Sequence, residues 1–101
     1  MDEHFDALSN PHRRRLLVAL LEHNPQRDDA VRPEDIHEGE KALEVLREGL
    51  FHIHLPKLEE AGFIEWNRDT HEVVKGPEFD EIRPLLELMQ DHADELPDDW
   101  P

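Results

Sequence analysis

The chain has 101 residues, and its 26 acidic and 11 basic side chains give a formal net charge of −15. This length fits a single domain, expected over residues 1–96, and excludes an enzyme with separate cofactor and substrate domains. The lack of cysteine excludes disulfides, thiolate nucleophiles and cysteine-based zinc sites.

The acidic residues are spread along the whole chain, from Asp2 to Asp99, and the basic residues are eight arginines and three lysines. Carboxylates keep a surface hydrated, and molar salt screens their repulsion within about 3 Å. We therefore expect a protein adapted to a high-salt cytoplasm; a solvated acidic face or an acidic tail is the alternative. The longest apolar run is residues 16–21, and the N-terminus lacks a basic signal-peptide region, so we expect no membrane partner and a cytoplasmic location.

A first helix is predicted over residues 10–23. Asn10 can cap it, Pro11 suits its first position, and the leucines at positions 16, 17, 20 and 21 lie on one helical face. Phe5 and Leu8 are expected to form a short preceding turn that packs on the same face.

The middle of the chain predicts a polar connection over residues 25–32, a short helix over 33–38 and a long helix over 41–61. The long helix carries an apolar stripe and ends at Gly62, a typical C-terminal cap. Pro56 removes one backbone hydrogen bond, which predicts a kink near His52. The stripe comprises Leu43, Val45, Leu46, Leu50, Ile53, Leu55 and Leu58.

Two short strands and a last helix follow. Residues 63–66 and 72–75 read as strands joined by a loop at 67–71, so that residues 63–75 form a hairpin. The last helix is predicted over 79–95, with Pro84 near its first turn, and residues 97–101 are expected to fray. This order predicts a mainly α fold with a small β-hairpin wing: a winged helix-turn-helix with a C-terminal dimerisation helix.

Two segments resemble known regulators. Residues 8–17 are similar to the opening helix of ArsR-type winged-helix regulators, and residues 54–64 resemble the end of their recognition helix and the first wing strand. The sequence His-Ile-His-Leu-Pro-Lys-Leu at 52–58 resembles a group of small haloarchaeal winged-helix proteins. The resemblance covers about residues 5–75 and implies an archaeal DNA-binding transcription regulator, often dimeric.

The long helix of such a fold enters the major groove, and the wing contacts the DNA backbone. Arg47 and His52 are therefore expected to reach bases, and Arg68 to reach the minor groove or a phosphate. The alternative is a set of solvated side chains, with Glu48 and His52 paired on the helix face. The candidate DNA-binding residues are Lys41, Arg47, His52, Lys57, Arg68 and Arg14.

The run Arg13-Arg14-Arg15 spreads over about 200° of a helix. These arginines can position a domain on phosphates. Alternatively, they pair within the protein, with Asp6 or Glu22.

No catalytic or metal site is predicted. His92 and Glu95 have helical ligand spacing, similar to half of the metal site of some ArsR sensors, but the upstream half is missing. His52 and His54 point to different faces of a helix. Ser9 suits a helix cap, and the four glycines are too scattered for a phosphate-binding loop. We expect no enzyme and no cofactor beyond interfacial potassium ions.

The last helix carries more apolar side chains than a small core needs, and we expect them to pack against a second copy in an isologous dimer. They are Ile82, Leu85, Leu86, Met89 and Leu96. The sequence thus predicts a dimeric regulator of double-stranded DNA that holds potassium at its interface, so that affinity stays flat or rises with KCl. A winged-helix protein-interaction module without DNA binding is the alternative, favoured by the acidic long helix and the short second helix.

Overall fold

The computed structural model describes residues 1–27 and 50–101, which form four α-helices and one three-stranded antiparallel sheet. A hairpin and a set of helices are thus confirmed. The predicted helix at 33–38 and the first part of the long helix, with Leu43, Val45 and Leu46, lie outside the described residues. The helices are α1 (Asp2–Leu8), α2 (Pro11–Glu22), α3 (Leu55–Glu60) and α4 (Phe79–Asp91), and the strands are β1 (Gln26–Arg27), β2 (Ile64–Asn67) and β3 (Glu72–Lys75).

Helix α2 begins as its sequence predicts. The Asn10 side chain accepts hydrogen bonds from the backbone N–H groups of His12 (2.8 Å) and Arg13 (3.3 Å), and Pro11 occupies the first turn. The expected turn before it is instead a full helix, α1, and Phe5 is 60% exposed. The expectation that Phe5 packs inward is wrong, because helical geometry turns Ala7 and Leu8 toward the core and Phe5 away from it.

Helix α3 follows a π-helical turn at Leu50–His54. Pro56 has no N–H to offer the carbonyl of His52, and the chain widens at that point, where the sequence predicts a kink. The wider turn changes the phase of the apolar stripe. Ile53 is consequently 57% exposed, which contradicts its predicted place in the stripe, whereas Leu55 and Leu58 are buried.

Gly62 ends α3 and leads into the hairpin. Its φ is +83°, its N–H donates to the Glu59 carbonyl (3.0 Å), and the N–H of Phe63 donates to the Leu58 carbonyl (3.0 Å). This pair of bonds is a Schellman motif, which favours glycine because side chains rarely adopt that φ. Any Cβ at Gly62 would also lie 2.7 Å from Cγ of Glu78.

The hairpin pairs Ile64 with Lys75 and Asn67 with Glu72, and the short strand β1 adds to the other edge of β3. Strand β1 falls in the segment predicted as a polar connection, since nothing in Gln26-Arg27 is typical of a strand. The strand order β1-β3-β2 leaves β2 beside α3, and the backbone N–H of Trp66 donates to the Glu59 carboxylate there (3.3 Å).

Helix α4 closes the core, and the chain then turns back in a 3-10 turn at Ala93–Glu95. Pro84 lies inside α4 rather than in its first turn, with its ring exposed. In residues 1–27 and 50–101, no helix is long and apolar enough to cross a membrane. The buried apolar core comprises Ala7, Leu8, Leu17, Val18, Leu20, Leu55, Leu58, Phe63, Ile64, Val73, Phe79, Ile82 and Leu86.

The tail at 97–101, expected to fray, packs on the protein instead. Trp100 is half-buried against the core, and its indole N–H donates to Oε1 of Gln90 at 2.7 Å. Arginines from α2 hold the adjacent tail carbonyls. The tail packs because Trp100 supplies a large apolar surface to bury.

Candidate nucleic-acid interface

Three of the six candidate DNA contacts lie exposed on the π-helical turn, α3 and the hairpin loop. They are His52, Lys57 and Arg68. Lys41 and Arg47 lie outside the described residues. The hairpin strand β2 packs directly beside α3, so the helix and the hairpin form one continuous surface.

Arg68 lies in the loop that joins β2 to β3. Its guanidinium carbon is 4.3 Å from the ring centroid of Trp66, a cation–π contact. The loop is shaped locally, because Oδ1 of Asn67 accepts the N–H groups of Asp69 (2.9 Å) and Thr70 (3.2 Å). His71 has a φ of +61° at the end of this turn. The exposed cation is thus presented by an ordered loop.

Lys57, on α3, forms a solvent-exposed ion pair. Its Nζ lies 3.0 Å from Oδ2 of Asp6, and both side chains are about half exposed. An exposed ion pair of this kind contributes little to stability, so either partner can be exchanged for another charge.

Arg14, another of the candidate DNA contacts, is engaged within the protein's own structure. Its side chain is 14% exposed and donates to the carbonyls of Leu8 and Asp99 at 3.2 Å, with the Asp99 carboxylate at 3.8 Å. Arg15 donates through Nε to the carbonyl of Pro101 at 3.0 Å. Arg13 contacts Asp6 through the Asp6 backbone carbonyl, and Arg14 and Arg15 contact carbonyls of the tail.

Arg13 is 6% exposed and is the buried charged residue of the described core. It donates to the carbonyls of Ala7 (3.3 Å) and Asp6 (2.9 Å), which end α1, and to Oγ of Ser9 (3.0 Å). Its Nη1 also lies 2.9 Å from Nδ1 of His54. A guanidinium at a helix C-terminus satisfies carbonyls that lack partners within the helix. The sequence gives one signal for this role, an arginine three residues after a helix cap.

His54 completes this cluster as a neutral acceptor. Because the guanidinium can only donate, Nδ1 of His54 accepts its hydrogen bond. Partial burial of the ring lowers the pKa of His54, and the positive charges of Arg13, His12 and Lys57 lower it further. His54 is thus a half-buried partner of Arg13 in the described fold.

The surface beside Arg68 carries more acids than bases. A groove of about 690 Å³ runs along the hairpin and the end of α3. Its charged lining residues are Glu59, Glu65, Arg68, Asp69 and Glu72. Each of the eight basic side chains within residues 1–27 and 50–101 has an intramolecular contact. Any phosphate bound here must compete with those contacts.

The described residues offer little for metal chemistry. Within 1–27 and 50–101, no three His, Asp or Glu side chains are arranged to hold a metal ion. His92 and Glu95 lie 3.1 Å apart (Nδ1 to Oε2) on the protein surface, where they pair with each other.

The stripe predicted for dimerisation divides into two parts. Ile82 and Leu86 are fully buried within the monomer, so their assignment to a dimer interface is wrong. Both lie, with Phe79, on the face of α4 that packs into the core. Leu85, Met89 and Leu96 are half-buried, and Leu88, absent from the prediction, is 57% exposed.

Comparison with known proteins gives one match. The family model described as a domain of unknown function (DUF7344) matches residues 5–74. No curated protein and no solved structure matches the chain.

Proposed function

The chain belongs to the DUF7344 family, and from this premise we propose that it is a cytoplasmic winged-helix regulator that binds double-stranded DNA in a high-salt cell. The segment formed by the π-helical turn and α3 enters the major groove, and the hairpin contacts the adjacent backbone or minor groove. Arg47 and His52 read bases, and Lys57 and Arg68 contact phosphates or the groove edge.

The observation that carries this proposal is the presentation of Arg68. It is a cation in an ordered loop, beside the helix that would enter the groove, and its guanidinium stacks on the ring of Trp66. A cation–π contact at an exposed site is worth about 0.5–1 kcal/mol, so Arg68 can leave the ring at small cost when a phosphate replaces it.

The acidic groove next to Arg68 defines how this binding depends on salt. Glu59, Glu65 and Glu72 approach the DNA phosphates as the hairpin docks. Potassium ions taken up between these like charges offset the cations that DNA releases. Affinity therefore stays flat or rises as KCl increases.

A matched pair of arginine variants tests the DNA contact. Arg68→Ala is expected to weaken binding to duplex DNA about tenfold, the loss of one good groove contact. Arg83→Ala is the control, because Arg83 also stacks on an aromatic ring (5.5 Å, Phe79) and its removal changes the net charge equally. Fluorescence anisotropy in molar KCl measures both. Equal affinities for Arg68→Ala and Arg83→Ala would remove the hairpin from the DNA interface.

The acidity of the same surface favours a second candidate function, a winged-helix module that binds protein and no DNA. Under this alternative, the double variant Arg47→Ala/Arg68→Ala has no effect on DNA binding, because the wild type binds no duplex at any KCl concentration.

We also propose that the protein is a homodimer through α4, on a surface smaller than the stripe in the sequence suggests. Leu85, Leu88 and Met89 lie within about 100° of the helix circumference and are not fully covered by the monomer core. Two copies of this face can pack about a twofold axis, as in most small homodimers.

A further inference from the structure

A side-chain hydrogen bond joins the π-helical turn to the first two helices. Nη1 of Arg13, on α2, lies 2.9 Å from Nδ1 of His54, the last residue of the turn. The same guanidinium donates to the carbonyls of Asp6 and Ala7 at the end of α1 and to Oγ of Ser9. A single buried cation thus connects three segments of the chain.

This hydrogen bond requires a neutral imidazole. Arginine stays protonated in proteins and has only donors, so Nδ1 of His54 accepts and the ring carries its one proton on Nε2. A second proton, on Nδ1, would place two donors and two positive charges 2.9 Å apart. The guanidinium is fixed by its other acceptors, so the imidazolium ring is the group that moves away.

The neighbouring basic groups act in the same direction. The ring centroid of His12, on α2, lies 6.0 Å from that of His54, and Lys57, on α3, adds a charge that is paired with Asp6 of α1 (Nζ to Oδ2, 3.0 Å). Burial lowers the pKa of His54 below 6.5, and the positive charges of Arg13, His12 and Lys57 lower it further. The hydrogen bond is therefore intact at neutral pH and breaks in acid.

The π-helical turn is the segment that this change frees. The side chains of His52 and Ile53 in the turn are exposed, whereas the ring of His54 contacts α2. Single π-helical turns are rare and frequently lie at functional sites. Leu55 and Leu58 are fully buried and keep α3 in the core independently of His54. Loss of the His54 contact therefore acts on the turn and leaves α3 in place.

We propose that Arg13 and His54 form a pH-sensitive switch, in which a proton on Nδ1 of His54 breaks their hydrogen bond and releases the π-helical turn from α2. The turn carries His52, a base contact in the proposed function, so the consequence for DNA rests on that function. Protonation of His54 then lowers DNA affinity, because the turn must be reordered before it fits the groove. The switch itself operates without DNA.

Histidine NMR of the wild-type chain in molar KCl tests the switch directly. Nitrogen-15 spectra report which ring nitrogen carries the proton, and we expect Nε2–H for His54 above about pH 7. Below the His54 midpoint, which we expect under 6.5, the hydrogen-exchange protection of the turn amides should fall about tenfold relative to that of α3. An Nδ1–H tautomer at neutral pH, or protection of the turn that ignores the His54 midpoint, would overturn the switch.

A matched pair of histidine variants connects the switch to DNA. His54→Gln keeps an acceptor for Arg13 and does not titrate. His92→Gln is the control, because its ring pairs with Glu95 on the protein surface (3.1 Å). At about pH 5 in molar KCl, we expect the wild type and His92→Gln to bind duplex DNA about fivefold more weakly than His54→Gln does, by fluorescence anisotropy, and all three to bind equally at about pH 8.

The outcomes separate the switch from the DNA-binding function. No DNA binding at either pH would overturn the proposed function, and the NMR titration of the wild type would still decide the switch, even if His54→Gln does not fold. Equal affinities of the wild type and His54→Gln in acid would overturn the control of DNA binding by His54. Tighter binding by the wild type, which an added positive charge alone would produce, would overturn it as well.

Discussion

Two arginines of this chain, Arg13 in α2 and Arg68 in the hairpin loop, carry the same charge in opposite surroundings. Arg13 is buried, and four groups surround it: two carbonyls that end α1, the Ser9 hydroxyl and the His54 ring. Arg68 is exposed and rests on one ring face. The arginine run of α2 thus makes its contacts inside the protein, whereas the isolated Arg68 keeps its charge at the surface, where a partner can reach it.

The difference shows that the neighbours of a basic residue decide its role. The run Arg13-Arg14-Arg15 follows a helix start, where the ends of α1 and of the tail present carbonyl groups to it. A positive charge there satisfies backbone acceptors that would otherwise be buried without partners. In the hairpin loop, the Asn67 side chain accepts hydrogen bonds from the backbone, and within residues 1–27 and 50–101 the Arg68 cation contacts the Trp66 ring instead of backbone carbonyls.

The largest expected effect would come from removing the buried arginine. Arg13→Met keeps the aliphatic stem and deletes the guanidinium, leaving four acceptors without their donor. We expect a loss of about 2–4 kcal/mol in the free energy of unfolding. Arg83→Met is the control, since its ion pair with Asp80 is exposed and worth about 0.5 kcal/mol or less. Urea titrations in molar KCl measure both, and similar losses for the two variants would erase the distinction between buried and exposed arginines.

Acid should weaken the same cluster. Because the pKa of His54 in the folded protein is lowered from 6.5, the unfolded chain binds a proton more readily than the folded chain does. The stabilising contribution is therefore complete above pH 6.5 and is lost as the pH falls below it. We expect the unfolding free energy of the wild type to fall more steeply below pH 6.5 than that of His54→Gln, in which the amide oxygen still accepts from Arg13. Parallel curves would show that His54 is not the group that titrates.

The smallest expected effect on folding belongs to the hairpin arginine. Arg68→Ala removes one exposed cation–π contact, so we expect a change of about 0.5 kcal/mol in the unfolding free energy. Thermal unfolding monitored by circular dichroism measures it. A loss of unfolding free energy as large as that of Arg13→Met would assign Arg68 a structural role and would favour the protein-interaction alternative.

The features that sequence predicts well here are local ones. The Asn10 cap, the end of α3 at Gly62 and the hairpin each depend on residues within a few positions of one another. The strand β1, the contact of Arg13 with His54 and the docked tail depend on partners far away in the chain, and no short pattern encodes those partners. Ile53 shows a third case, in which one π-helical turn changes the phase that a helical repeat assumes.

The candidate interface divides in the same way. Arg68 can be recognised as an exposed cation from its place in a short loop. The hydrogen bond from Arg14 to the carbonyl of Asp99 cannot be predicted in this way, because the two residues are 85 positions apart in the chain. The inward turn of Ile82 and Leu86 depends likewise on what α4 covers. An apolar stripe on a helix reports that something packs on it and does not distinguish the monomer core from a second copy.

We propose that this acidic protein binds duplex DNA through α3 and the hairpin with the help of bound potassium. The measurement that tests it most directly is the affinity of the wild type for duplex DNA, by fluorescence anisotropy, from dilute to molar KCl. We predict an affinity that stays flat or rises with KCl. A steep loss of affinity with rising KCl would contradict potassium uptake, and no binding at any concentration would contradict the DNA-binding function itself.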